Sequence, residues 1–139
     1  MRVLGIDFGL SRIGLAISDA EGEMAFPLKT VYKETREQAY QEIQDVVAQR
    51  GVGAVALGLP LDLEGRRTLS TRQADNFRRE LSDRLNIPVH LVDETCTSAE
   101  AEAKLREAGV PPKKRKGLLD QQAAVEILET FLHNKSYFE

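Results

Sequence analysis

The apolar residues of this chain fall into short runs typical of strands and longer stretches with helical spacing. Five runs predict strands, at residues 2–8, 12–18, 24–32, 52–59 and 87–92. The first two flank a short Gly/Ser turn and are expected to pair antiparallel, while Pro27 in the third favours a position toward the sheet edge. The last two runs are almost wholly apolar, which is typical of parallel strands covered on both faces.

Helical spacing of apolar residues predicts four helices, at residues 34–50, 70–85, about 98–107 and about 118–132. Gly51 ends the first helix, and a loop rich in proline and lysine precedes the last. This order predicts an α/β fold, in which three antiparallel strands are continued by two parallel strands through helical crossovers, with helices on both faces of the mixed sheet. The 139 residues, 42% of them hydrophobic, suit a single domain over residues 1–139.

Composition narrows the classes of function. No stretch approaches the roughly 18 apolar residues of a membrane span, and no charged segment with a long apolar run opens the chain, so we expect a cytoplasmic protein without a membrane partner. Cys96, His90 and His133 are too few for a disulfide framework or a Cys/His zinc site, so any metal must be held by oxygen. A formal net charge of −3 means that nucleic-acid binding would have to be local.

Carboxylates from three distant parts of the sequence are predicted to converge. Asp7 ends the first strand, and Asp93 and Glu94 directly follow the last, so both positions open on the rim where parallel strands end and ligands gather. Asp120 opens the final helix, and its apolar neighbours at i+3, i+4, i+7 and i+8 turn it toward the sheet. Crowded carboxylates raise one another's pKa unless a cation neutralises them, so we predict divalent metal ions at this rim, as in two-metal phosphoryl transfer.

Each acid alone also fits a structural role. Asp7 suits a turn, Asp120 suits the first turn of a helix because of the helix dipole, and the pair Asp93–Glu94 suits a loop followed by a helix cap. Their joint position on one rim is what favours the metal site.

Basic residues and one glycine near this rim are candidates for substrate binding. Gly9 leaves room beside Asp7 for a phosphate, although a hairpin turn alone also favours glycine. Arg12 lies just past the turn, where its guanidinium can contact a phosphate. The proline- and lysine-rich loop before Asp120 carries a basic run, formed by Lys113, Lys114, Arg115 and Lys116.

Aromatic residues offer no predicted ladder for stacking single-stranded bases. Phe8, Phe26, Phe77 and Phe131 fit core positions, which favours recognition of the nucleic-acid backbone and shape. His90, inside a buried strand, is expected to be a packed residue rather than a general base.

Five separated motifs follow one another along the chain: Gly5-Ile6-Asp7-Phe8-Gly9, Arg12-Ile13-Gly14-Leu15-Ala16, Gly58-Leu59-Pro60-Leu61, Asp93-Glu94-Thr95 and Asp120-Gln121-Gln122-Ala123-Ala124. In order and spacing they resemble the YqgF/RuvX family of Holliday junction resolvases, over essentially the whole chain. The resemblance implies an RNase H-like fold and a nuclease that processes the 5′ end of pre-16S ribosomal RNA, resolves Holliday junctions, or does both. One departure is that Thr95-Cys96 stand where the family usually has Arg-Leu.

The resemblance further implies that Asp7, Glu94 and Asp120 are the catalytic residues and hold Mg²⁺ or Mn²⁺, with Asp93 as the alternative to Glu94. The expected substrate is structured RNA or branched DNA, and pairing of two copies into a homodimer stays open.

Two other functions are weighed against this nuclease. The sugar kinase and actin-like ATPase class opens with a similar hairpin but needs two such domains. A non-catalytic RNA-binding module for ribosome assembly would keep the fold and would not need intact acids.

Overall fold

The computed structural model describes residues 1–61, 69–95, 109 and 112–134, without the side chains of residues 59–61, 69–70, 93–95 and 112–117. In this part of the chain the strands are β1 (Arg2–Asp7), β2 (Arg12–Ser18), β3 (Ala25–Tyr32), β4 (Val52–Leu61) and β5 (Val89–Thr95). The helices are α1 (Arg36–Arg50), α2 (Leu69–Leu85) and α3 (Pro112–Leu132). The helix predicted at about 98–107 lies outside the described residues.

The five strands form one sheet in the order β3-β2-β1-β4-β5. Strand β2 pairs antiparallel with both β1 and β3, whereas β4 pairs parallel with β1 and with β5. The predicted mixed sheet of three antiparallel and two parallel strands is therefore confirmed. Pro27 lies in the edge strand β3, next to a register shift in its pairing with β2, as its missing N–H requires.

Alternate residues of each strand face the two sides of the sheet. Leu4 and Ile6 of β1 belong to the core beneath α1 and α2. The alternate positions Val3, Gly5 and Asp7 lie on the face that α3 covers, where Val3 packs with the apolar side of that helix. Strand β1 is thus the central strand of both cores. No helix in the described part of the chain is long and apolar enough to cross a membrane.

Strand β5 differs from its prediction at both ends. It begins at Val89, after Asn86 with a positive φ of 56° and Pro88, and it runs on to Thr95. Asp93 and Glu94 therefore lie inside the strand, and the prediction that they follow it is wrong. The reason is tertiary: β4 extends to Leu61 and supplies parallel partners, which overcomes the weak strand propensity of acidic residues.

Helix α3 begins six residues earlier than predicted. Pro112 is its first residue, where a missing N–H costs nothing, and the following lysines and arginine are good helix formers. The basic run 113–116 is therefore helical, and the prediction of a loop there is wrong. Asp120 is the ninth residue of α3, so neither its predicted position at the opening of the helix nor a first-turn dipole role holds.

Phe26 is a further difference from the sequence prediction. Its side chain is 45% exposed on the edge strand β3, so its predicted core position is wrong. Phe131 is buried as expected and packs against the His90 ring, with centroids 5.2 Å apart.

Helix α1 begins with a capping box that supports a first testable prediction. The Thr35 hydroxyl accepts a hydrogen bond from the Gln38 backbone N–H at 3.0 Å, and the Gln38 side chain accepts one from the Thr35 N–H at 3.4 Å. Thr35→Ala should lower the free energy of unfolding by about 1 kcal/mol. Urea denaturation measures the change. Thr35→Ser keeps the hydroxyl and is the control, since an equal loss in both variants would assign the effect to the methyl group.

Candidate active site

Helix α3 lies directly on the backbone of β1 and β2. A Cβ atom built on Gly14 would overlap the carbonyl oxygen of Asp120, and one on Gly5 would lie 2.7 Å from the carbonyl oxygen of Ala124. Gly14 is the register partner of Asp7 across the antiparallel pair, so both positions face the helix. The missing side chain at Gly14 therefore lets α3 carry Asp120 next to Asp7, which confirms that the Asp120 position faces the sheet.

The electrostatic state of Asp7 follows from this placement. Its carboxyl is mostly buried at the end of β1, and that burial raises its pKa, as does the negative charge of Asp120, to about 7 from an ordinary value of 3.8. A buried carboxylate beside a second one is costly unless a cation balances the charge. Carboxylate oxygens are the ligands that Mg²⁺ and Mn²⁺ prefer, so Asp7 and Asp120 fit a hard divalent cation.

Arg12 forms an ion pair that the sequence did not suggest. Its Nε donates a hydrogen bond to Oδ2 of Asp120 at 2.7 Å, with the two side chains 36% and 19% exposed. The Nε edge of the guanidinium therefore binds the second acid of the site. The contact joins the first residue of β2 to the middle of α3, across 108 positions of sequence, and no local pattern could have predicted it.

A second polar contact fixes the same stretch of α3. The Gln121 side-chain amide donates to the Thr30 hydroxyl on β3 at 3.1 Å. Asp120 and Gln121 are adjacent in α3, so the two contacts together tie the helix to the neighbouring strands β2 and β3. Gln121 belongs to a motif named in the sequence analysis, but its role as an anchor had no signal there.

Glu94 is placed by register rather than by side-chain contacts. Strand β5 aligns Val92 with Gly58 and Glu94 with Pro60. His90 and Val92 contact the α3 side of the sheet, and position 94 continues this alternation whereas position 93 belongs to the opposite face. One strand, β4, separates β1 from β5, which corresponds to roughly 10 Å at about 4.8 Å per strand.

The described side chains bring together two acids of the predicted three. Among the residues whose side chains the structure describes, no group of three or more His, Cys, Asp or Glu side chains is close enough to hold a metal ion. Asp7 and Asp120 form the described part of the site, and Glu94 contributes a backbone position only.

The other predicted substrate-binding residues lie around the same end of the sheet. A Cβ on Gly9 would overlap the carbonyl oxygen of Arg12, so closure of the β1–β2 turn is sufficient reason for glycine there. Lys113, Lys114, Arg115 and Lys116 occupy the first turns of α3, between four and seven residues before Asp120. At about 1.5 Å per residue, their backbone lies roughly 6 to 10 Å from Asp120 along the helix axis.

The order of the strands in the sheet is that of a known fold, and two solved structures share it. Thermus thermophilus RuvC superposes with a TM-score of 0.57 at 17% identity, over 99% of this chain and 96% of that one. The fowlpox virus Holliday junction resolvase superposes with a TM-score of 0.53 at 13% identity, over 95% of this chain and 98% of that one. The fold is that of the RNase H-like resolvases.

Sequence comparison then gives the family. The model of the RuvX family, described as a Holliday junction resolvase, matches residues 1–134, and the chain belongs to this family. A protein of Maridesulfovibrio salexigens is 48% identical over 132 residues, 95% of this chain and 98% of its own length. One from Oleidesulfovibrio alaskensis is 46% identical over 96% of this chain and 92% of its own length. Both carry the name "Putative pre-16S rRNA nuclease".

Proposed function

We propose that this protein is a metal-dependent nuclease that hydrolyses phosphodiester bonds of structured nucleic acid, in 5′-end processing of pre-16S rRNA, in resolution of Holliday junctions, or in both. The observation that carries the proposal is Asp7, buried beside Asp120 with its pKa raised to about 7. The names of the relatives and the family support the choice of substrate. A ribosomal RNA precursor as substrate would place the protein in the cytoplasm.

Asp7 and Asp120 are the ligands for Mg²⁺ or Mn²⁺ in this proposal, and Glu94 is the third. When bound, such cations would lower the pKa of an attacking water and stabilise charge on the leaving oxygen. Glu94 is preferred to Asp93 because its strand position continues the series of His90 and Val92 on the α3 face. The acids hold charge and orientation and are not nucleophiles.

Arg12 has two tasks in this proposal. Its ion pair holds the Asp120 carboxylate in one orientation in the metal-free protein. Because the guanidinium carries five N–H donors and the side chain is 36% exposed, it retains donors for a substrate phosphate beside the acids. Arg12 is therefore a positioning residue for Asp120 and a contact for the substrate.

The basic first turns of α3 supply the remaining affinity for the substrate. Residues 113–116 carry four cations on the helix that also carries Asp120. Such a cluster attracts phosphates independently of base sequence and makes binding fall with salt. On a four-way junction, where two strands are cut, two copies of the protein are expected to act together.

Cleavage of end-labelled substrates tests the proposal and the choice of third ligand. The substrates are an RNA spanning the 5′ end of 16S rRNA and its leader, and a four-way DNA junction, each with Mg²⁺, Mn²⁺ or EDTA. Cleavage should require metal, and Glu94→Gln should slow it by about a hundredfold or more, beyond the effect typical of losing an indirect metal contact. Asp93→Asn, one residue away with the same loss of charge, is the matched control and should cut at nearly the wild-type rate.

The outcomes separate the alternatives. The substrate that is cut identifies the pathway. Loss of activity in Asp93→Asn but not in Glu94→Gln would reverse the ligand assignment. Tight RNA binding without cleavage under any metal would contradict the nuclease and favour the non-catalytic RNA-binding module.

A further inference from the structure

Tyr32 is an exposed aromatic residue at the end of the sheet that carries the acids. It is the last residue of the edge strand β3, and its register partner across the β2–β3 pair is Arg12. Strand β3 runs antiparallel to β2, which runs antiparallel to β1. The end of β3 at Tyr32 and the end of β1 at Asp7 therefore lie at the same end of the sheet.

Tyr32 also faces the same side of the sheet as the acid pair. Thr30, two residues earlier in β3, binds Gln121 of α3, and alternate residues of a strand share a face. Residues directly opposite in an antiparallel pair share a face as well, with Cβ atoms about 5 Å apart. The Tyr32 side chain therefore starts beside that of Arg12, whose Nε reaches Asp120 at 2.7 Å.

This position is close to the acids without touching them. In the register of the sheet, Asp7 lies on the same row as Thr30. Tyr32 is therefore two strands across from Asp7 and two residues further along. At about 4.8 Å per strand and about 3.4 Å per residue, the backbones of Tyr32 and Asp7 are roughly 12 Å apart. A ligand group at Tyr32 would belong to a nucleotide near the phosphate at the acids, and not to that phosphate itself.

The backbone of Tyr32 is fixed, whereas its ring is open to solvent. Val31 before it is fully buried, and Lys33 after it donates a backbone hydrogen bond to the Ser11 carbonyl at 2.9 Å. Tyr32 itself is 61% exposed. Among the side chains that the structure describes, none makes an aromatic or cation–π contact with its ring. The ring faces are therefore available to a ligand.

Arg12 lies between this ring and the acid pair. Its side chain is 36% exposed, and its guanidinium has donors besides the Nε–H that binds Asp120. The basic run 113–116 lies beyond Asp120 at this end of the sheet, because α3 passes over Gly14 and then Gly5 on its way to the other end. An open aromatic ring beside phosphate-binding cations is typical of proteins that hold single-stranded nucleic acid. One ring, rather than a ladder of rings, indicates one base position.

We propose that Tyr32 is a substrate-binding residue, and that its ring stacks on an unpaired base next to the phosphate that Arg12 contacts. The inference rests on the proposed function and deepens it, because it assigns the substrate a single-stranded segment beside the bond that is cut. Since β3 is the edge strand, a nucleic-acid strand can leave the acids on this side of the sheet. Stacking on an aromatic ring tolerates any base, so Tyr32 distinguishes unpaired from paired nucleotides rather than one sequence from another.

Binding without cleavage tests this inference. Fluorescence anisotropy in EDTA measures the affinity for a blunt RNA hairpin and for the same hairpin with a single-stranded extension at its 5′ or its 3′ end. For one of the two extended hairpins, Tyr32→Ala should weaken binding about tenfold, the scale of one base stacked on an aromatic ring. Binding of the blunt hairpin should stay nearly unchanged.

Two further variants control for the loss of an aromatic residue. Tyr32→Phe keeps the ring and should bind the extended RNA as the wild type does. Phe26→Ala is the matched control, because Phe26 is the other exposed aromatic residue of β3 and lies toward the far end of that strand. It should leave both affinities nearly unchanged. Because Tyr32 is exposed, Tyr32→Ala should keep the wild-type melting temperature.

Equal weakening of the blunt and extended RNAs by Tyr32→Ala, or no weakening of any, would overturn the inference. It would also be wrong if Tyr32→Phe bound the extended RNA as poorly as Tyr32→Ala, or if the wild type bound none of the RNAs. Cleavage that persists while Tyr32→Ala loses no affinity would refute the role of Tyr32 alone. Binding that depends on Tyr32, without cleavage under any metal, would refute the nuclease and keep the inference.

Discussion

Replacing Asp7 with asparagine is expected to abolish cleavage and, at the same time, to stabilise the metal-free protein above neutral pH. The first effect follows from the proposed metal site, because the amide would remove a charge that holds the divalent cation there, and a loss of about a thousandfold or more in rate is expected. The second follows because the carboxylate is buried beside Asp120. Residues that serve a functional site often lower the stability of the protein when its ligand is absent.

The pH dependence of this stabilisation has a definite sign. The pKa of Asp7 is about 7 in the folded protein and about 3.8 when unfolded. As the pH rises, the unfolded chain therefore loses this proton at a lower pH than the folded protein does. The stability contribution of Asp7 is fully present below about pH 4 and is lost as the pH rises to about 7. Asp7→Asn should therefore match the wild type near pH 4 and exceed it by roughly 2 to 4 kcal/mol at pH 8.

Urea denaturation in EDTA at pH 4, 6 and 8 measures this difference. Asp83→Asn is the matched control, since Asp83 is an exposed acid on α2 and its replacement should have little effect at any pH. Added Mg²⁺ should raise the wild-type melting temperature and leave that of Asp7→Asn unchanged. The measured quantity is the difference in free energy of unfolding between Asp7→Asn and the wild type. A difference that is no larger at pH 8 than at pH 4 would contradict an uncompensated buried acid at position 7.

Gly14→Ala is expected to destabilise the protein by about 3 kcal/mol and to reduce cleavage sharply. The added methyl would overlap the Asp120 backbone carbonyl, and a helix backbone cannot yield without moving the whole of α3. Overpacking of this kind typically costs about 1 to 3 kcal/mol, and occasionally more when backbone must shift. Asp120 would be displaced from Asp7 together with the helix, so the proposed metal site would be lost with the packing.

Gly53→Ala provides the matched control for this prediction. A Cβ on Gly53 would also be too close to its neighbours, but the nearest atom is Cγ of Met1 at 2.7 Å, on a side chain that is 57% exposed and can move. Thermal denaturation should show a small change for Gly53→Ala and a large one for Gly14→Ala. Similar changes in the two variants would mean that the contact between α3 and β2 is not rigid.

The elements that the sequence predicted well are those with a local periodic signal. Strands β1 to β4 and helices α1 and α2 were found within a few residues because apolar spacing and turn residues mark them. The extension of β5 through Asp93 and Glu94 could not be read locally, since it depends on pairing with β4. The early start of α3 could not be predicted locally either. Proline is compatible with a loop and with the first turn of a helix, so Pro112 alone does not show where the helix begins.

The sequence likewise predicted only part of the candidate site. Asp7 and Asp120 could be placed together from strand ends and the helix face, and the burial of Asp7 beside Asp120 agrees with that placement. The Arg12–Asp120 ion pair was missed because its two members are far apart in sequence. The side chain of Glu94 lies outside the described part of the structure, and its role stays a prediction.

The long separation of Arg12 and Asp120 has a consequence for synthesis of the protein. The hairpin that carries Asp7 and Arg12 emerges from the ribosome first, and α3 emerges more than a hundred residues later. Until α3 docks on Gly5 and Gly14, Asp7 lacks the neighbouring carboxylate of Asp120. A nascent or truncated chain without α3 would therefore lack one of the three proposed acids, and we expect hydrolytic competence only with completion of the whole fold.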